Sequence, residues 1–178
     1  MFAPVIERQL FSELFGFVIC DPLKLEAVHG EPILGQDLLA QYSSTDLGER
    51  VAMEGAAIPV QGVEAGYYSI VLRDAVSPSL LAEAPSHIST GWILEVVSGQ
   101  IAVCGLGALS HWAPASPAVR HMALPIGWYG VELWVGAMAS GDDDYALEII
   151  LSRSSSRPRC MADVSQQLPR ARRPSDTV

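Results

Sequence analysis

The sequence predicts a mainly β protein, an antiparallel β-sandwich with one or two short helices in its N-terminal third. Three observations carry this. From residue 56 onward the chain is a series of short β-branched and aromatic runs, cut by Gly, Pro, Ser and Asp clusters. The strongest helix formers fall within residues 23–55, without a long apolar stripe. The 178 residues, 49% of them hydrophobic, suffice for one domain with a filled core and are too apolar for disorder.

The elements follow in order. Residues 1–14 read as a helix or an irregular arm. "LFGFVICDP" is a short buried strand stopped at Asp21-Pro22, because proline cannot continue a central ladder. "LKLEAVHG" and "GQDLLAQYSSTDLGERVAMEG" supply the short helices or irregular covering segments. Five strand runs come next: "VEAGYYSIVLRDA", "GWILEVVSG", "QIAVCGLG", "HMALPIGWYGVELWVG" and "YALEIILS". Gly99-Gln100 marks a tight hairpin between the second and third, and "GDDD" (141–144) a turn between the last two. An internal echo pairs residues 63–72 with 124–133 and residues 92–97 with 145–150. It suggests two similar β units facing each other across the sandwich. The sandwich is expected to span residues 1–151, with residues 152–178 a basic, flexible tail.

Side chains alternate across a strand, so in "PIGWYGVELWVG" Tyr129, Val131, Leu133 and Val135 share the core face. Trp128, Gly130, Glu132 and Trp134 share the other. In "YALEIIL", Tyr145, Leu147, Ile149 and Leu151 point one way, and Ala146, Glu148 and Ile150 the other. A "GDDD" hairpin pairing Val135 with Tyr145 sets Glu132 opposite Glu148, a like-charge pair costing roughly 0.2–1 kcal/mol. Glu95, at the equivalent point of the earlier unit, extends the same acidic surface. These are either ordinary solvent-facing positions, with the tryptophans covered by a loop or the tail, or a contact patch of flat aromatics framed by carboxylates. A glycosidase-like carboxylate pair lacks any sign of a substrate cleft.

Charge is the informative total. The formal net charge is −9, unevenly spread. From Ser152 onward six arginines face two aspartates, a balance of +4; residues 1–151 hold five basic against 18 acidic residues, a balance of −13. Such a body repels nucleic acid and steers basic partners in. No apolar run approaches a membrane span, and the N-terminus carries Glu7, Arg8 and Glu13 where a secretory signal would be clean. Cys20, Cys104 and Cys160 are odd in number and scattered, which fits a reducing compartment; a cytoplasmic protein is expected. His29, His87, His111 and His121 show no metal-ligand spacing, and Gly105-Leu106-Gly107 lacks a following phosphate-binding helix. The residues therefore predict no catalytic group, no metal and no cofactor.

Three features together resemble a group of small bacterial β-rich inhibitors. They are a strand ending in Asp21-Pro22, a Ser98-Gly99 hairpin midway, and a late strand carrying Pro125, Gly127, Tyr129 and Val131, spread over residues 15–151. The group includes the competence-nuclease inhibitors and the immunity proteins encoded beside secreted toxins, those of type VI secretion among them. The resemblance implies a non-enzymatic inhibitor that binds a cognate basic toxin, with a DNase or RNase as the expected class. The contact would run through Asp21, Glu95, Trp128, Glu132, Trp134, the turn Asp142, Asp143 and Asp144, and Glu148. No direct nucleic-acid or membrane contact is expected, and the chain would be a monomer or homodimer. A small-molecule or carbohydrate-binding sandwich and a structural homo-oligomer subunit remain open beside this reading.

Overall fold

A computed structural model describes residues 4–139 and 145–164. The runs read as strands, together with residues 5–11 and 57–61, which carry no such reading, build two sheets packed face to face. The larger holds β1 (Val5–Phe11), β4 (Tyr67–Asp74), β5 (His87–Val96), β8 (Gly127–Ala137) and β9 (Tyr145–Ser154), in the order β1-β4-β9-β8-β5. The smaller holds β2 (Gly16–Cys20), β3 (Ala57–Gln61), β6 (Gln100–Gly105) and β7 (Arg120–Ala123), in the order β3-β2-β6-β7. Between them, Phe17, Ile19, Ile58 and Ile101 from the small sheet meet Ile70, Leu94, Tyr129 and Ile149 from the large one.

The small sheet is buried on both faces, which explains its unbroken apolar strands. On β2, Phe17 and Ile19 face the large sheet, while Val18 and Cys20 face three helices, α1 (Pro22–His29), α2 (Leu38–Ser44) and α3 (Leu47–Met53). Leu25, Leu38 and Val51 of these helices close a second core with Trp112. On the far face of the large sheet, Leu81 and Met138 cover Val71 and Ala146. No helix among the described residues is long and apolar enough to cross a membrane.

Mainly β architecture with a few short helices is thus what forms, and the structure differs from the expectation in detail. Residues 5–11 are an edge strand, neither helix nor arm. Three helices stand where one or two were expected, because aspartates start each one: Asp21, Asp37 and Asp46 occupy the N-cap positions. The sandwich is not wholly antiparallel, since β4 and β9 pair in parallel. Residues 121–136 divide into β7 and β8, which lie in different sheets. The Gly99-Gln100 hairpin does not form: β5 belongs to the large sheet and β6 to the small one, so Gly99, with φ +83°, turns the chain from one sheet into the other. The strands of the internal echo, β4, β5, β8 and β9, lie together in the large sheet rather than facing each other.

The chain beyond Leu151 does not leave the body at once. β9 continues to Ser154, and the following segment returns across the sheet: the Met161 and Ala162 N–H groups both donate to the Gly91 carbonyl, at 2.8 and 3.0 Å. Gly91 makes this possible. Its φ is +83°, and a Cβ there would lie 2.8 Å from the Ala162 nitrogen and the Met161 carbonyl carbon. Gly91→Ala is expected to cost more than about 1 kcal/mol, through both the left-handed backbone and the displaced strap. Trypsin should then cut faster after Arg159, since Pro158 blocks cleavage after Arg157. An unchanged rate at Arg159 would show that Gly91 does not hold the strap.

Candidate functional site

Asp21 and Glu148 are fully buried and belong to the framework, so they lie outside any contact surface. One Asp21 oxygen accepts from the backbone N–H groups of Leu23 and Lys24 at the start of α1, at 2.9 and 3.4 Å. The other accepts from Val97 and Ser98, each at 2.7 Å, at the crossover between sheets. Glu148 accepts from Arg73 Nε at 2.9 Å, from Ser79 Oγ at 3.0 Å and from the Leu80 N–H at 2.6 Å.

The β8/β9 pairing is offset by two residues from the expected one: Ala137 faces Tyr145, Trp134 faces Glu148 and Glu132 faces Ile150. An even offset leaves every side chain on its expected face. The like-charge pair disappears, because Glu148 meets Arg73 instead. Among the predicted residues the sheet brings together Glu95 with Trp128, and Trp134 with Glu148.

Both tryptophans are half-buried and carry cations over their rings. Arg73 lies 5.1 Å from the Trp134 ring centre; Lys24 and Arg157 lie 5.8 and 5.6 Å from that of Trp128. Lys24 also pairs with Glu95 at 2.5 Å. Glu132 is exposed between the two rings. Asp142, Asp143 and Asp144 lie outside the described residues.

A second surface had no reading in the sequence. At the end of the large sheet Phe11, Leu14, Phe15 and Tyr67 are 40, 59, 50 and 65% exposed. Phe11 and Tyr67 are cross-strand partners whose rings meet edge to face, with centres 5.1 Å apart. Two backbone bonds tie the segments together: the Ser12 N–H donates to the Gly66 carbonyl at 2.9 Å and the Val63 N–H to the Phe15 carbonyl at 3.1 Å. The buried Ser12 hydroxyl adds a bond to the Glu64 carbonyl at 2.6 Å. Leu14 and Phe15 hold left-handed backbone, with φ of 53° and 59°, and Gln9 in the neighbouring β-bulge has φ 60°. For bulky side chains this conformation costs on the order of 1–3 kcal/mol each. With this backbone the Leu14 and Phe15 side chains face solvent. Glu13 and Glu64 stand in the same two segments. The sequence signal was the aromatic density of "LFSELFGF", which reads as core unless the backbone inverts.

The two buried cysteines, Cys20 and Cys104, are not arranged for nucleophilic work. Burial pushes the Cys104 thiol up to about 12, with the Glu13 carboxylate adding to the shift, and pushes Cys20 up as well. Both therefore remain neutral thiols. No group of three or more metal-ligating side chains occurs among the described residues.

Fold and surfaces together define a two-sheet β-sandwich with a helical layer over its smaller sheet. No family model matches the chain, and no curated protein does. Among solved structures it is similar to one titled Crocagin biosynthetic gene J, with a TM-score of 0.50 and 13% identity over 85% of this chain and all of the other. That likeness is one of fold alone. ComJ of Bacillus subtilis, titled as an inhibitor of the DNA-degrading activity of NucA, aligns with a TM-score of 0.46 and 13% identity over 85% of this chain and 96% of the other.

Proposed function

We propose that this protein is a non-catalytic inhibitor that binds a basic protein partner, a toxin of the nuclease class, through the aromatic patch at Phe11, Leu14, Phe15 and Tyr67. The observation that carries this reading is the patch itself: exposed aromatic and aliphatic side chains held outward by left-handed backbone, on a body with a charge balance of −13. Aromatic anchors of this kind supply most of the binding energy at protein interfaces, and surrounding carboxylates set orientation and encounter rate. A nuclease exposes a basic groove to hold phosphates, so an acidic body competes for the same surface. The face around Glu132 offers a second contact, carried by an exposed carboxylate between two half-buried tryptophans.

Affinity capture from the source organism's lysate tests the reading. The full chain should retain a stoichiometric basic protein whose nuclease activity falls when more of the chain is added. Phe15→Ala and Tyr67→Ala should each weaken capture by more than about 2 kcal/mol, roughly 30-fold in Kd. Glu132→Lys decides the second contact: unchanged capture removes that face from the interface. A basic partner held equally by wild type, Phe15→Ala and Tyr67→Ala would rule out the patch as the anchor.

A further inference from the structure

We propose that the cleft between α2, α3 and the edge strand β3 is a binding site for a basic peptide with an apolar anchor, and that its occupant is this chain's own residues 165–178. The cleft encloses about 550 Å³. Its floor is apolar, with Val18, Leu39, Val51 and Leu106 prominent, and its charged lining residues are Asp46, Glu49 and Asp163, all acidic. Asp46 stands at the N-cap of α3, yet its side chain makes no capping hydrogen bond. A largely apolar pocket of this size, whose charged lining groups among the described residues are all carboxylates, fits an aliphatic side chain followed by arginines.

The chain supplies that sequence at that place. The strap that hydrogen-bonds to Gly91 carries Ala162, Asp163 and Val164 into the lining of the cleft. Residues 165–178, which lie outside the described residues, read "SQQLPRARRPSDTV": one leucine, then Arg170, Arg172 and Arg173, against one acid, Asp176. Leu168 is four residues from Val164, a reach of up to about 13 Å in extended chain. A segment tethered at the rim faces an effective concentration in the millimolar range, so even a weak intrinsic affinity fills the cleft. The charge division between body and tail thereby closes on itself within one molecule.

Trypsin reads this directly, through its cuts after Arg170 and Arg172 in the full chain, followed by mass. At roughly 0.01 M salt, where charges act over about 30 Å, the wild-type tail should be cut at least ~10-fold more slowly than the tail of the Asp46→Asn/Glu49→Gln variant; at about 1 M salt the two rates should converge. Leu168→Ser lies in the tail, cannot disturb the body, and should also speed the cuts at low salt. Equal rates for all three chains at low salt overturn the assignment and leave the cleft to a basic segment of another protein. The aromatic patch plays no part in this measurement, so its outcome is independent of the proposed inhibitory function.

Discussion

Glu148→Ala is expected to destabilise the protein by about 3–5 kcal/mol, the cost of removing one partner from a buried ion pair. Arg73 would remain buried without this carboxylate, beside the carbonyls of Asp74 and Ser77 and the Trp134 ring. The Leu80 N–H and the Ser79 hydroxyl would lose their acceptor as well. Against a total stability of about 5–15 kcal/mol for a domain of this kind, the variant would be near the limit of folding. The double variant Arg73→Met/Glu148→Leu should lose less than Glu148→Ala alone, because no charge is stranded. It should not reach the wild type, since the Leu80 N–H still lacks a partner. Urea unfolding measures both. A Glu148→Ala midpoint equivalent to less than about 1 kcal/mol of loss would mean that water or a rearranged Arg73 replaces the carboxylate.

The same residue shows where sequence reading stops. The alternation of "GWYGVELWVG" assigns every face of β8 correctly, because strand geometry is local and has a period of two. The pairing partner is not local. β8 runs two residues past Val135, through Gly136 and Ala137, whose small side chains carry no strand signal, and the register moved with them. Glu148 reads as solvent-facing because its partner, Arg73, is 75 positions away on a strand that pairs with β9 in parallel. The Phe11–Phe15 surface was hidden for a different reason. Apolar residues before a buried strand normally join the core, and only inverted backbone at Leu14 and Phe15 directs them outward. The acidic body was legible from composition; the places where acids are exposed, buried or paired were not.

Asp21→Ala is the second large expected loss, and its size follows from position. The sequence reads Asp21-Pro22 as the end of a strand, and the pair is also a helix start: an N-cap acid followed by proline at the first helical position. Loss of the cap alone costs about 0.5–2 kcal/mol. The second oxygen fastens the Val97 and Ser98 N–H groups where the chain crosses from the large sheet to the small one. Two part-buried N–H groups left unsatisfied add about 1–3 kcal/mol each at most. The total loss in chemical unfolding should therefore exceed about 2 kcal/mol.

Conservative variants separate the two halves of Asp21. Asp21→Ser retains one acceptor, suited to the cap, and should recover part of the loss while leaving the crossover unfastened. Asp21→Asn keeps the shape but turns an amide NH2 toward one pair of donors, so it should recover no more than serine does. If serine restored full stability, the crossover bonds would contribute nothing and Asp21 would be a helix cap only. If alanine itself were neutral, neither role would hold, and the turn at Gly99 would have to be positioned by the packing of Val96 and Ile101 alone.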